Sequence, residues 1–301
     1  MISLCVFLVL GCSKGDSPQP QSAGRDAAKE ERPLLIGLIP EQNIFNQVER
    51  YEPLMGYLSE KIVRRIRITI LPGYGNIIDN FASSGMDGAF FGSFAYVLAH
   101  TKLGLEPVAR PEDTEGISTY HGMIFVRKDS GIHSVMDMRG KCFAFVDRAT
   151  TAGYLLPRAY FKKYGIGDYM KFLKEVYYTG THVDAIYDVL NRRADIGSAK
   201  NTIYQRLAEK DPRISEELLI LTRSPDVPEN GLAVRKDLDE SLKKKLKEAL
   251  LTMHEDPNGK EILNKFGTKR FIETNDSDYH AVYAFAQEIN LNLASHSLLA
   301  E

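Results

Sequence analysis

The chain has 301 residues, 44% of them hydrophobic and 26% charged, the composition of an ordinary soluble globular protein. Its formal net charge of −2 excludes broad electrostatic attachment to nucleic acid or to an anionic membrane surface. Three cysteines, two of them before residue 13, exclude a disulfide framework and a cysteine-based metal site; Cys142 in its apolar run reads as a small buried hydrophobe.

Residues 1–11 form an apolar run of Ile, Leu, Val and Phe that ends in Val9-Leu10-Gly11-Cys12. Small and aliphatic residues directly before a cysteine are the pattern of a bacterial lipoprotein signal, in which Cys12 becomes the lipid-modified first residue. The run is too short to span a bilayer. No Lys or Arg precedes it, so the true start codon is expected upstream. Residues 13–32, rich in Ser, Gly, Pro, Gln and charge with no periodic apolar face, cannot bury enough surface to fold and read as a flexible tether.

Beyond the tether, roughly two domains' worth of chain remains. Residues 34–40 read as a buried strand. Leu54, Met55, Leu58 and Ile62 lie at helical spacing and predict a helix over 51–63. A strand over 66–71, a helix over 77–82, a strand over 88–91, a helix through Tyr96 to His100 and a strand over 123–127 follow. A second series begins with strand 142–146. Helix 154–164, strand 175–178, helix 183–191, strand 196–199 and helix 202–209 come after it. Alternation of this kind predicts an α/β protein with largely parallel sheets.

The two series echo each other. In Ser84-Gly-Met-Asp-Gly-Ala-Phe-Phe-Gly-Ser93 and in residues 193–201 a helix ends, an Asp precedes a short strand, and a polar loop opens the next helix. Aligning Asp87 with Asp195 sets Gly92-Ser93 opposite Lys200-Asn201. Such loops lie at the carboxyl ends of strands, where α/β proteins bind ligands. Two similar lobes facing each other make a hinged cleft.

The richest local chemistry is at Asp147-Arg-Ala-Thr150-Thr151-Ala152-Gly153-Tyr154. A strand runs into a small, hydroxyl-bearing turn that opens a helix. The free N–H groups and the dipole at a helix start favour an anion, and small residues permit close approach. The alternative is plain N-capping by Thr150 or Thr151. No Walker sequence is present.

Several stretches, taken in order, resemble the phosphate/phosphite/phosphonate group of ABC-transporter substrate-binding lipoproteins. They are Tyr51-Glu-Pro-Leu-Met-Gly-Tyr-Leu-Ser59, residues 87–96, residues 124–132, residues 147–157, Gly180-Thr-His-Val-Asp-Ala-Ile186, Ser224-Pro-Asp-Val-Pro-Glu-Asn230 and Asp276-Ser-Asp-Tyr279. The resemblance implies a two-lobed periplasmic-binding-protein fold of type II, each lobe a mainly parallel sheet flanked by helices and the two joined by two crossover strands. Lobe I is expected over 33–127 plus 222–301 and lobe II over 128–221. It also implies a monomer outside the cytoplasm, held to the membrane through Cys12, with a permease and an ATPase as partners, no cofactor and no nucleic acid.

Residue by residue, the family's Ser-Thr-Ser cradle corresponds to Thr150-Thr151-Ala152, with the third hydroxyl lost. Tyr120 matches an aromatic at the crossover, and its other reading is a half-buried hinge tyrosine. His182 matches a ligand histidine of phosphite and phosphate binders, or else is a satisfied structural residue. Asn43 matches a cleft-facing segment in which Glu41 must point away from an anion or bind a cation. Ser93, Lys200, Asn201 and Asn230 complete the expected set. Members that bind amine-bearing phosphonates place acidic residues at the positions of Lys200 and Asn230. A cation there repels an ammonium and attracts further negative charge, unless Lys200 is merely a solvated helix-start lysine. The expected ligand is therefore phosphate, phosphite, methylphosphonate or a carboxylated phosphonate, and 2-aminoethylphosphonate is disfavoured. Two other classes stay open: an enzyme using His182 and Asp184, and a receptor for a membrane histidine kinase. No nucleophile elbow, paired carboxylates or metal-binding His pair supports the first.

Overall fold

The structure, a computed structural model, describes residues 32–41, 44–70 and 73–298. The signal with Cys12, residues 13–31 of the tether, and Asn43 lie outside the described residues. Strands β1 (Leu34–Leu38), β2 (Ile66–Ile70), β3 (Gly88–Phe91) and β4 (Glu106–Glu112) build most of a first sheet. The chain then crosses through β5 (Thr119–Tyr120) into a second sheet of β6 (Gly122–Arg127), β7 (Cys142–Phe145), β8 (Glu175–Tyr178), β9 (Ile196–Lys200) and β10 (Leu218–Arg223). It returns through β11 (Val227–Pro228) and completes the first sheet with β12 (Gly231–Val234) and β13 (Arg270–Glu273). The two crossing strands pair antiparallel, Val227 opposite Tyr120.

The first sheet runs β13-β4-β12-β3-β1-β2 and the second β10-β6-β9-β7-β8. Each sheet is mixed, where the sequence predicts mainly parallel ones. The parallel pairs are β1 with β2 and β3, and β7 with β8 and β9, strands linked by helical crossovers. β6 and β12 each enter a sheet from the other lobe through a crossing strand, so they arrive reversed and pair antiparallel with β9 and β3. The same route corrects the expected lobe limits. β6, placed by sequence in the first lobe, belongs to the second sheet, as does all of β10, which the boundary at 222 divides. The crossings are only two residues each, too short to leave a periodic signal.

Helix Ile44–Ile62 packs Tyr51, Leu54, Met55, Leu58 and Ile62 against Leu34, Ile36 and Phe90 of the first sheet, joined by Leu246, Leu250 and Phe266 from the later helices. It starts two turns before the predicted Tyr51. Those turns are polar, and Gln47 is buried because its side-chain amide donates to the Ile39 carbonyl at 2.9 Å. Ile186, Val189 and Ile203 cover one face of the second sheet, against Phe125 and Ala199. A third apolar cluster is continuous from Ile77, Phe91 and Phe94 of the first lobe to Val126, Phe143 and Phe145 of the second. Cys142 is half-buried rather than enclosed, and burial raises its thiol pKa.

The Asp87/Asp195 echo has a physical basis. Asp87 receives the Leu35 N–H on Oδ2 at 3.0 Å while its own N–H donates to the Leu35 carbonyl at 2.8 Å. Asp195 does the same to Cys142, with Oδ2 at 2.9 Å and the carbonyl at 3.1 Å. Asp87 thus locks the start of β3 to β1, and Asp195 the start of β9 to β7, each with one carboxylate. Asp87, whose side chain is fully buried, also carries Arg235 at 3.0 Å. Replacing Asp87 with Ala strands a buried N–H and leaves Arg235 only its second carboxylate, Asp237, and should cost about 2–4 kcal/mol, against about 1–3 kcal/mol for Asp195→Ala. Urea unfolding of the two variants measures the difference.

Candidate functional site

The turn after β7 departs from an ordinary helix start. Residues Thr151–Leu155 form a π turn, the Leu155 N–H donating to the Thr150 carbonyl at 3.2 Å, before α-helix Leu156–Lys163 begins. Neither threonine caps it through its side chain. Thr150 Oγ1 donates to the Asp147 carbonyl at 2.6 Å, and Thr151 Oγ1 accepts the Phe94 N–H from the other lobe at 3.0 Å. The widened turn leaves the N–H groups of Thr151, Ala152 and Gly153 ahead of any helical acceptor. Gly153 is required there, since a Cβ would lie 2.4 Å from that of Val146. Ala152 is buried and its backbone lies against Gly122, where a Cβ would come within 2.8 Å.

This turn faces a small, partly open pocket of ≈ 230 Å³ atom-free space, its mouth included. Tyr74, Tyr120, Thr150, Thr151, His182, Glu41, Lys200 and Asn230 line it. Two buried polar atoms in its wall have no hydrogen-bond partner among the described residues: Tyr74 Oη and His182 Nδ1. A buried polar group without a partner costs free energy, so such a pair aimed into one pocket marks a place where a ligand supplies the missing bonds. Burial pushes the His182 imidazole down to about 4, so it is neutral at physiological pH. Burial holds the Tyr74 hydroxyl well above its usual range. Asp147, beside Gly73 and Tyr74 of the first lobe, is raised to about 6 by burial despite accepting the Ala149 N–H.

Lys200 closes one side. Its ammonium, 3% exposed, meets Glu41 Oε1 and Asn230 Oδ1 at 3.3 Å each, pairs with Glu229, and lies 4.4 Å from the Tyr120 ring centre. Burial works against its charge, but Glu229 and Glu41 outweigh that and raise its pKa. Burial likewise opposes the Glu41 carboxylate, which Lys200 nevertheless brings down to about 2. Two carboxylates and one ammonium leave the cluster with one net negative charge. Lys200 is therefore neither solvated nor a free cation attracting further negative charge, as the sequence reading allowed. It occupies the carboxylates that a ligand's ammonium would need.

Of the expected residues, the fold brings Thr150, Thr151, Tyr120, His182, Lys200 and Asn230 to the pocket wall, while Ala152 follows Thr151 in the turn and packs its backbone against Gly122. The fold withholds two. Ser93 Oγ is spent on the Pro228 carbonyl at 2.5 Å and pins the crossing strand. Asn201 Oδ1 accepts the His121 N–H at 3.0 Å and holds the opposite side of the crossing. Both sit where the strand-end echo places them, but Ser93 Oγ and Asn201 Oδ1 are engaged by the hinge. Tyr74 and Glu229 were missed; Glu229 stands next to Asn230 within the matched 224–230 stretch, whereas nothing local marks Tyr74. His182 and Asp184 do not form a dyad: Asp184 is exposed and bonds Thr181, whose hydroxyl caps the helix His182–Leu190. Among the described residues no group of three His, Cys, Asp or Glu side chains could hold a metal ion, and no helix is long and apolar enough to cross a membrane.

Two α/β lobes joined by a pair of crossing strands, with a pocket at their junction, define a solute-binding protein. The chain belongs to the family of periplasmic substrate-binding proteins of phosphonate ABC transporters, whose family model matches residues 36–279. It is 24% identical over 255 residues to the phosphonates-binding periplasmic protein of Escherichia coli, covering 83% of this chain and 75% of that one. The binding-protein component of an ABC phosphonate transporter from Pseudomonas aeruginosa superposes with a TM-score of 0.79 at 22% identity, over 86% of this chain and 87% of that chain. The Prochlorococcus marinus PhnD1 protein in complex with methylphosphonate superposes at 0.74 and 21% identity, over 85% and 98%.

Because protonated His182 is disfavoured in the folded state, its contribution to stability is lost as pH falls from 6.5 to about 4. Asp147 acts oppositely, gaining as pH falls through the interval from about 6 to 3.8, so the wild-type profile partly conceals the histidine. His182→Gln should gain roughly 3 kcal/mol relative to wild type between pH 6.5 and 4, at about 1.4 kcal/mol per unit. Urea unfolding of both proteins across that range checks it.

Proposed function

We propose that this protein captures a phosphate-like oxyanion, a non-aminated phosphonate, phosphite or phosphate, in the interlobe pocket and delivers it to an ABC importer. The observation that carries the reading is the pair of unpartnered buried groups, Tyr74 Oη and His182 Nδ1, facing the open N–H groups of the Thr151 turn. A tetrahedral oxyanion accepts from all three sources at once. The backbone groups hold it to lobe II, Tyr74 reaches it from lobe I, and closure follows because only the closed form supplies both. With the nearby ion cluster already one charge negative, attraction comes from oriented N–H and O–H dipoles rather than from a net positive wall.

The family model supports the transport role, as do the names of the E. coli protein and the methylphosphonate-bound P. marinus protein. Binding without turnover fits a pocket in which His182 and Asp184 point apart and Lys200 is locked in ion pairs. The protein acts as a monomer outside the cytoplasm, with a permease and an ATPase as partners and a lipid on Cys12 as its anchor. The Cys12 anchor is tested by radiolabelled palmitate incorporation into wild-type protein and into Cys12→Ala.

Calorimetry with methylphosphonate, phosphite, phosphate, 2-aminoethylphosphonate and sulfate tests the ligand. Tight binding of at least one of the first three and weak binding of the amine is the expected pattern; amine binding with none of them defeats it. Tyr74→Phe should leave the free protein as stable as wild type or more so, because it removes an unpaired buried hydroxyl. It should weaken oxyanion binding by about 1.5–3 kcal/mol, the value of one charge-assisted hydrogen bond. A variant with unchanged affinity moves the ligand elsewhere.

A further inference from the structure

The Lys200 cluster has a second side. Glu41, Lys200 and Asn230 form the wall of the oxyanion pocket and, on their other face, the inner wall of a larger chamber of ≈ 620 Å³ atom-free space that lies between the lobes. Two guanidinium groups line that chamber, one from each lobe. Arg50 of helix Ile44–Ile62 is fixed: Nε and one terminal nitrogen donate to the Phe266 carbonyl at 3.3 and 2.9 Å, and its guanidinium carbon lies 4.3 Å from the Phe266 ring centre. Arg206, on helix Asn201–Lys210, makes no hydrogen bond or ion pair with any described residue. Burial and then Arg50 disfavour its charge, and Glu41 and Glu229 offset them only in part. The carboxylates around it are already engaged. Glu41 and Glu229 hold Lys200, and Asp113 accepts the N–H groups of Glu115 and Ile117 at 2.9 and 2.8 Å. A half-buried arginine fork with no partner, beside a second cation and inside a ligand cleft, is matched to an anion that the protein itself does not supply.

We infer that Arg206, backed by Arg50, forms an outer anion subsite for a second acidic group, a carboxylate or a second phosphoryl, at the far end of a ligand whose phosphoryl group fills the inner pocket. The inference rests on the oxyanion reading of that inner pocket. Arg206 stands six residues beyond Lys200 along its helix, about 9 Å of rise, so the two anionic groups are separated by a spacer of several carbons. The compensated charge of Lys200 sets this distance. A carboxylate placed beside the cluster meets one net negative charge, and only farther out does it find an unused cation. The substrate class is thus ω-acidic phosphonates or phosphate monoesters rather than the short oxyanions alone.

Calorimetry with methylphosphonate, hexylphosphonate and 6-phosphonohexanoate, on wild type and on Arg206→Gln, tests it. Wild type should bind 6-phosphonohexanoate about tenfold or more tightly than hexylphosphonate, the scale of one charge-assisted pair. Arg206→Gln should erase that ratio while leaving methylphosphonate affinity within about twofold. Equal affinity of the two six-carbon ligands in wild type overturns the inference, and so does a ratio that survives in Arg206→Gln. Failure of wild type to bind methylphosphonate or either longer ligand overturns the inner-pocket reading instead, and this one with it. Arg206→Met, which keeps much of the bulk but not the charge, is the second variant should Arg206→Gln bind nothing. A lost ratio supports the subsite and an unchanged one overturns it.

Discussion

An ammonium removed from water is stable in a protein only where carboxylates come to it, and Lys200 is almost wholly removed. Its partners do not come from its own lobe. Glu41 follows the first strand of the first lobe, and Glu229 sits on the return crossing between β11 and β12. The cluster is therefore complete only with the lobes together, and it ties first lobe, second lobe and hinge at one point. The pocket that lacks polar partners lies on one side of it, and the chamber that holds an unpaired arginine on the other. With one net negative charge, it positions the two spaces without acting as an anion trap.

The two lobes are built by one rule and specialised by one residue. In each, an aspartate ties two neighbouring parallel strands, β3 to β1 and β9 to β7, and the later strand of each pair leads into a helix. In the first lobe the position before the helix is Gly92, where a Cβ would come within 3.4 Å of Asn230 Oδ1. The helix it opens sends the Phe94 N–H to Thr151 across the cleft. In the second lobe the equivalent position is Lys200. The same backbone device thus supplies a close approach from one side and a buried charge from the other.

Much of the fold was legible along the chain. Strand β8 lies where its β-branched and aromatic run predicts, and helices Asn201–Lys210 and His182–Leu190 fall within a residue of their expected limits, because apolar period and burial agree there. Helix Ile44–Ile62 was truncated in the sequence reading because Gln47 buries itself through a hydrogen bond, which periodicity cannot register. The site was legible in part. Thr150, Thr151 and Ala152 announced themselves as a small turn between strand and helix. Tyr74 did not, because its role comes from having no partner, a property of the assembled interior.

The sequence by itself determined the alternation of elements, the strand-end loops, the duplicated aspartates and the small-residue turn. Each of these depends on residues close in the chain and on their spacing. Tertiary structure alone decided which polar atoms remained for a ligand. Thr150 spends its proton on Asp147, Ser93 on Pro228, and Asn201 receives His121, while Tyr74 Oη and His182 Nδ1 are left without a hydrogen-bond partner among the described residues. It also decided the meaning of Lys200, whose counter-charges lie 159 and 29 residues away. Local chemistry can name a donor, but whether that donor is already satisfied depends on groups that only the folded chain brings within bonding distance.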